Sequence, residues 1–321
     1  MQEGTFKFLL SDIIDKMTSG HILHYGRKFN KLTIANYQLI LNTMNDHDFD
    51  FDVDACDLNE SKSRKDRLRI CRLLQTNVND YLNILLEECY HPNTRKNHLK
   101  IIRATLKKAE AFYGYDFPKL QSMRELQTDV IALDPEHVQM IHQTKPEDES
   151  LHRVWYYTRL CLYSCMRISD LINFQNTIDD GIVTIITKKG VGSLSTFYIP
   201  KDVQEFLAER NGLGMKPQIF REKLRELMRS YPELRKQKVI YKYNHNGDPY
   251  AETKFLWQLI TPHKLRSSGI TYHLSNGLSE MEVRNISGHA NGSLAFYRYV
   301  KASDKDSIRK QKENSKLLIN S

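Results

Sequence analysis

Through the first 115 positions, apolar residues recur at intervals of three and four. The stretches TIANYQLILNTMN (33–45), RLLQTNVNDYLNILLEE (72–88) and NTRKNHLKIIRATLKKAEAFYG (93–114) each carry one apolar face, so each predicts an amphipathic helix. FKFLLSDIIDKM (6–17) is interrupted by Lys7, Ser11, Asp12 and Asp15, and reads as another such helix, not as a signal peptide or a spanning segment. The third long helix is expected to begin after Pro92 with Asn93 or Thr94 as its cap and to end at Gly114.

Between Gly114 and Pro135 the helical period lapses, with Pro118 also in the way, which predicts a domain junction near 120–132. We therefore expect a helical domain over 1–125 and a second domain over 132–321. Downstream, EHVQMIHQ (136–143) and HRVWYYTRLCLYSCMRISDLINF (152–174) read as helices. GIVTIITKKGVGSLSTFYIP (181–200) has β-branched runs about a glycine-containing turn and reads as a β-hairpin. Helices follow at KDVQEFLAER and REKLRELMRSYPEL. A second hairpin is expected over 238–261 with its turn at Asn246-Gly247, then helices from about His263, Glu280 and Ser293. The fold class is mainly α with a small β-sheet, in two domains.

Composition narrows this picture only modestly. A chain of 321 residues suits two domains, and a formal net charge of +8 suits a polyanionic partner such as nucleic acid or an anionic membrane surface. The five cysteines are odd in number and lack CxxC spacing, so reduced thiols are expected; Cys161 and Cys165, four apart on an apolar helix, fit core packing better than a metal half-site. The acidic stretch DHDFDFDVDACD has Phe51, Val53 or Ala55 where a calcium loop needs glycine, and is expected to be an extended connector. No carboxylate cluster and no glycine-rich phosphate loop is present, so no cofactor is expected.

Lys96, Lys100, Arg103 and Lys107 follow the i, i+4, i+7, i+11 pattern, which lines four cations along one stripe of a helix. Alone, such a stripe is a solvated surface; beside a DNA-processing domain it would neutralise phosphates.

Four separated features carry candidate chemistry. CMRISDL puts Arg167 at the end of an apolar helix, with Asp170 three residues on to hold it. TKKGV places Lys188 and Lys189 at the tip or along the edge of the first hairpin. TPHKLRSSGITYHL sets His263 and Arg266 three apart at a helix start, where the N-terminus adds partial positive charge. SGHANGSLAFYRYV brings Gly288-His289 and, behind them, Tyr297 and Tyr299.

In that order the set resembles the tyrosine recombinase (phage integrase) family, whose catalytic architecture is shared with type IB topoisomerases. The N-terminal half looks like the family's core-binding (SAM-like) helical domain, through TIANYQLIL and HPNTRKNHLKIIRATLKKAEAFYG; residues from 132 onward look like its catalytic domain, and the two would form a DNA clamp. The resemblance implies roles for Arg167 and Arg266 as the phosphate-binding arginines, with Asp170 as support for Arg167. Lys189 would be the hairpin lysine acting as general acid, with Lys188 as the alternative; His263 and His289 would be the paired histidines. The nucleophile would be Tyr297 or Tyr299. The family's tyrosine usually lies nine residues after the histidine, and here position 298 is arginine. The flanking AFYRYVKAS favours Tyr299, and two residues apart on a helix means about 200° of rotation, so only one hydroxyl can face the phosphate.

What the resemblance implies is cleavage through a 3′-phosphotyrosyl enzyme, with a free 5′ hydroxyl and with neither ATP nor metal. It implies double-stranded DNA bearing paired recombination sites as partner and a tetramer on that DNA. No membrane role is expected, and the implied location is cytoplasmic, bacterial or phage-encoded and nucleoid-associated. Two other readings stand beside it: a topoisomerase-like enzyme that nicks and reseals one duplex, and a DNA-binding architectural protein on the same scaffold without catalysis.

Overall fold

Phe6, Leu9, Leu10, Ile13, Ile14 and Met17 fall on one face of helix α1 (Phe6–Ser19), and all are buried. Their partners are Tyr37, Ile40, Leu41 and Met44 of α2 (Lys31–Asp46), Leu74, Val78, Tyr81 and Leu85 of α3 (Arg64–Glu87), and Leu99, Ile102, Leu106 and Ala109 of α4 (Pro92–Tyr113). The structure is a computed structural model that describes residues 2–303 apart from 25, 129, 173, 175–177, 188–193, 209, 211, 212 and 291. It divides into two compact units, Met1–Thr128 with Tyr241–Tyr250, and Asp129–Ile240 with Ala251–Ser321.

In the first unit the helix ends follow local chemistry. Asn30 accepts from the Thr33 amide to cap α2, and Ser63 accepts from the Asp66 amide to cap α3. The start of α4 differs from the sequence expectation. Pro92 is itself the first helical residue, where its missing N–H costs nothing, and the cap is His91, whose Nδ1 accepts from the Asn93 amide at 3.1 Å. Asn93 is used otherwise: its carboxamide bonds both the amide and the carbonyl of Leu126, at 3.0 and 2.9 Å. Gly114 ends the helix at φ +76°.

The acidic stretch alternates as a strand would, with Phe51 and Val53 buried and the aspartates turned to amides and hydroxyls. Asp50 accepts from the Lys7 amide at 2.9 Å, Asp54 from the Tyr115 hydroxyl at 2.6 Å and Asp57 from the Asp116 amide at 2.9 Å. Two single-turn 3₁₀ helices, Asp54–Cys56 and Leu58–Glu60, interrupt what the sequence suggested as a plain extended connector.

The second unit is built on α5 (Pro135–Gln143), α6 (His152–Ser164), α8 (Lys201–Leu207), α9 (Pro217–Ser230) and α11 (Pro262–Ser275). Its core includes Trp155, Leu160, Leu162, Phe220, Leu224, Leu227 and Leu265. A three-stranded antiparallel sheet, in the order β1 (Ile178–Asp179), β2 (Ile182–Ile186), β3 (Leu194–Tyr198), supplies Val183 and Phe197 to the same core. The first predicted hairpin thus gains a short third strand. The second hairpin pairs β4 (Gln237–Tyr243) with β5 (Pro249–Phe255). Its turn is organised by Asn244, whose side chain accepts from the Asp248 amide at 2.8 Å, with Gly247 at φ +94°. The remaining helices are α7 (Ile168–Ile172), α10 (Leu256–Leu259), α12 (Glu280–Ser287) and α13 (Leu294–Ser303).

The helix expected over 152–174 breaks. Cys165 takes a left-handed conformation (φ 50°), ending α6, and α7 restarts at Ile168. Asp170 accepts from the backbone N–H of Arg167, the return half of a capping box, which fixes the restart. Cys161 and Cys165 are both fully buried, and burial holds their thiols up at about 12.

Helix α11 crosses α6 at close range because Gly269 allows it. A Cβ there would sit 2.4 Å from the Leu162 carbonyl oxygen and 3.0 Å from the Cys165 sulfur. Gly269→Ala must push the helices apart, and unfolding in urea is expected to show a loss of about 1–3 kcal/mol; an unchanged midpoint would remove the close crossing from the account.

Imidazoles lowered by burial, His98 and His142 among them, make stability depend on pH. His98, with Nδ1 2.9 Å from the Tyr81 hydroxyl, is lowered by burial to about 4. His142, stacked on Tyr163 at 4.1 Å, is lowered to about 3 by burial and then by Arg159. Unfolded histidines take up protons near 6.5, so between there and about 4 the unfolded chain binds more protons than the folded one. Stability present above pH 6.5 is therefore lost as pH falls. Urea midpoints should drop between pH 7.5 and pH 5, and the drop should shrink in His98→Gln; equal slopes in the two proteins would contradict the assignment to His98.

Candidate active site

The break after α6 matters because it turns the end of that helix toward α11. Arg266 is 2% exposed, and its Nη1 donates to the carbonyl of Cys165 at 2.6 Å. Seven residues on, His273 donates from Nε2 to the carbonyl of Tyr163 at 2.9 Å. The last turn of a helix leaves carbonyls without intrahelical partners, and two of those of α6 are taken by side chains from one face of α11, with Gly269 between them.

Arg167 stands in the break itself. Its guanidinium lies 3.8 Å from the Asp170 carboxylate, and Nη1 is buried with no hydrogen-bond partner among the described residues. Asp170 is 5% exposed and holds Arg167 twice, through the backbone amide and through this ion pair. Burial, and after it the positive charge of Arg167, lowers Arg266 to about 10, so Arg266 remains charged at neutral pH.

His289 follows the end of α12, where Gly288 caps the helix at φ +63°. A Cβ at 288 would meet Thr187 Cγ2 at 2.8 Å, and Ser195 of β3 donates to the Ile286 carbonyl, so the sheet braces the turn that carries the histidine. Arg266 Nη2 is 3.2 Å from Nδ1 and 3.1 Å from Nε2 of His289. An atom in the ring plane could not be so near both nitrogens without overlapping the carbon between them. Nη2 therefore lies over the ring face, off both in-plane lone pairs. Burial, then Arg266, Arg167, Arg284 and His263, push His289 down to about 3, so the ring is neutral at physiological pH.

Helix α13 delivers the tyrosines to different places. Tyr299 is 8% exposed and packs with Cys165, Ile270, Val283 and Phe296, its ring centroid 5.9 Å from that of His289. Tyr297 is 45% exposed, and the Arg284 guanidinium sits 5.4 Å from its ring centroid. Arg284 also covers Phe296 at 4.6 Å and pairs with Glu280 at 3.3 Å.

His263 is exposed in the first turn of α11, one turn before Arg266, and is close enough to His289 to act on its charge. Lys188 and Lys189 lie outside the described residues. Arg167, Asp170, Arg266, His289 and Tyr299 thus gather around the end of α6, with His263 at the edge. Ser287, whose Oγ is 2.7 Å from His289 Nδ1, and Arg284 are absent from the motif reading. Only their closeness in sequence to His289 could have drawn attention to them.

The basic stripe on α4 is partly spent inside the first unit. Lys96 pairs with Glu125 at 3.1 Å, and Arg103 donates to the Leu120 carbonyl. Lys100 and Lys107 are exposed. Lys100 also lines a groove of about 640 Å³ between α2 and α4, together with Asn36, Asn97 and Lys108. Lys108 donates to the Tyr37 hydroxyl at 2.9 Å.

In sequence the chain matches no family model and no curated protein. In structure it is similar to the Tn1549 transposon integrase in complex with a circular intermediate DNA, at a TM-score of 0.59 and 13% identity, over 96% of this chain and 100% of that one. The same integrase with transposon right end DNA gives 0.57 and 13%, over 95% and 99%. A lambda integrase tetramer bound to a Holliday junction gives 0.55 and 15%, over 92% of this chain and 77% of that one. Among the described residues no helix is long and apolar enough to cross a membrane. Mostly helical, with two small antiparallel sheets and a likeness to these proteins along nearly its whole length, the chain has the tyrosine recombinase fold.

Proposed function

We propose that this protein is a site-specific DNA recombinase that cuts and rejoins strands through Tyr299. The observation that carries the reading is a set of positively charged or polar donors without acceptors of their own beside one tyrosine. Arg167 Nη1 is buried and, although ion-paired with Asp170 at 3.8 Å, has no hydrogen-bond acceptor among the described residues, and Arg266 Nη2 sits on a ring face where no lone pair reaches it. Such donors await an anion, and a phosphodiester approached by a nucleophile gains charge on its nonbridging oxygens.

In this mechanism the Tyr299 oxygen attacks the scissile phosphorus and the bond to the 5′ oxygen breaks, leaving a 3′-phosphotyrosyl enzyme and a 5′ hydroxyl. Arg167 and Arg266 hold the two nonbridging oxygens, and Asp170 keeps Arg167 aimed. A tyrosine hydroxyl ordinarily keeps its proton at neutral pH, so attack requires a base. His263 takes that proton, while Lys189 gives one to the departing oxygen. The bond energy stays in the protein–DNA link, so rejoining requires neither ATP nor metal.

The DNA-bound integrases of the same fold support duplex DNA as substrate, and the lambda integrase tetramer on a Holliday junction supports a multimer acting on paired sites. On the first unit, Lys100 and Lys107 are the members of the α4 stripe best placed for phosphate, since Lys96 and Arg103 have internal partners.

The test is a nicked suicide duplex carrying the recombination site, taken from inverted repeats beside the coding region. A covalent adduct should appear on a denaturing gel with the wild type and Tyr297→Phe, and vanish in Tyr299→Phe; the reverse pattern transfers the nucleophile to Tyr297. Relaxation of supercoiled DNA without strand exchange would favour a topoisomerase-like enzyme, and no adduct with any site an architectural protein. Replacing either arginine by lysine keeps charge but loses the planar fork. Arg167→Lys and Arg266→Lys should each slow single-turnover adduct formation about 100- to 1,000-fold, with duplex affinity changed far less; equal losses in rate and affinity would assign them to ground-state binding.

A further inference from the structure

His289 is neutral in the folded protein, so its ring carries one proton, and which nitrogen holds it decides what the ring can do. Arg266 does not discriminate, because Nη2 is nearly equidistant from Nδ1 and Nε2 and over the ring face. Phe296, at a centroid distance of 5.3 Å, and Tyr299 touch the ring as aromatic neighbours. Among the described residues, the one group that addresses a single nitrogen is Ser287, with Oγ 2.7 Å from Nδ1.

We infer that Ser287 is the positioning residue that sets the tautomer of His289. The Ser287 hydroxyl has one proton and two acceptors in reach, Nδ1 at 2.7 Å and the Arg284 carbonyl at 3.5 Å. A hydrogen bond at 3.5 Å is at the limit of the interaction, so the proton goes to Nδ1. Ser287 is 1% exposed, which keeps water from competing for its hydroxyl. With Nδ1 accepting, the ring proton must sit on Nε2.

The consequence lies in the site described above. Nε2–H and Arg266 Nη2 are then two donors 3.1 Å apart that cannot satisfy one another. The Nε2–H, pointing outward in the ring plane, is then left to donate to a nonbridging phosphate oxygen in the proposed reaction, on which this inference rests for its meaning. In the other tautomer Nε2 would turn a lone pair toward that oxygen and repel it. Ser287 thus acts through His289 without touching substrate. Its position two residues before the histidine, across the left-handed Gly288, is what lets the hydroxyl reach back to Nδ1.

The experiment uses full-length protein labelled with ¹⁵N at histidine side chains, with His289 assigned by comparison with His289→Gln. Long-range ¹H–¹⁵N spectra of the wild type should show the Nε2–H form alone at residue 289, and Ser287→Ala should show a mixture of both tautomers. On the suicide duplex, Ser287→Ala should lower single-turnover adduct formation about 10-fold with unchanged duplex affinity, and Ser287→Thr, which keeps the hydroxyl, should restore the rate. A wild-type tautomer at His289 in Ser287→Ala, or a wild-type cleavage rate, overturns the inference. If the wild type forms no adduct at all, the recombinase reading fails, while the spectra still decide whether Ser287 sets the tautomer.

Discussion

A guanidinium almost sealed from solvent governs the second unit. Burying a charge is costly unless it is paired, and Arg266 has no carboxylate of its own among the described residues. One edge of its fork donates to the Cys165 carbonyl, at the negative end of α6, and the other meets the face of a neutral imidazole. Arg167 stands near enough to lower its pKa, so two like charges share the space with one buried aspartate, which is committed to Arg167. The site is left positive on balance, and that imbalance costs stability in the protein without ligand. The cost is offset by the apolar packing of α6 and α11, through Leu160, Leu162, Leu265 and their neighbours, which assembles the pocket whether or not an anion is present.

That packing works only because the helices meet closely. Arg266, Gly269 and His273 stand at i, i+3 and i+7 on α11, one continuous face. The first and last donate to carbonyls of the final turn of α6, and the middle one has no side chain to hold the helices apart. Cys165 completes the arrangement by turning left-handed, which ends α6 and aims its carbonyl at Arg266. The placement of Arg266 and the termination of α6 are thus one event. The same event puts Arg167 in the gap before α7, where Asp170 can hold both its amide and its guanidinium.

Much of this was legible from residue order, and the exceptions have physical causes. The long helices of the first unit announced themselves because each buries a single face; the helix starts from Pro262 and Glu280 did so because proline and Ser279 mark them. The break at Cys165 was hidden, since left-handed backbone is signalled by glycine or asparagine and not by a buried cysteine inside an apolar run. The α4 stripe looked uniform because a helical wheel contains only α4. Its first and third cations are taken by Glu125 and Leu120, which lie on the irregular segment after Gly114 and have no period from which their contacts could be read. The joining of Tyr241–Tyr250 to the first unit was equally invisible, because it depends on contacts such as Arg95 Nη2 donating to the His245 carbonyl at 2.8 Å, 150 positions away.

The two tyrosines show how a motif and a fold answer different parts of one question. Counting from His289 gave eight and ten residues where nine was wanted, so spacing alone selected neither. Helical geometry said that only one could face inward, without saying which. The answer comes from what α13 must bury. Phe296 is fully buried against Cys165, Ile270 and Val283, and a helix that buries position 296 also turns position 299 inward, three residues on, while position 297 turns out. Arg284 lies over both Phe296 and Tyr297, covering the first and flanking the second at the surface. The apolar anchor at 296 therefore chooses the tyrosine that meets His289, and a packing requirement settles the placement that the spacing of the motif left open.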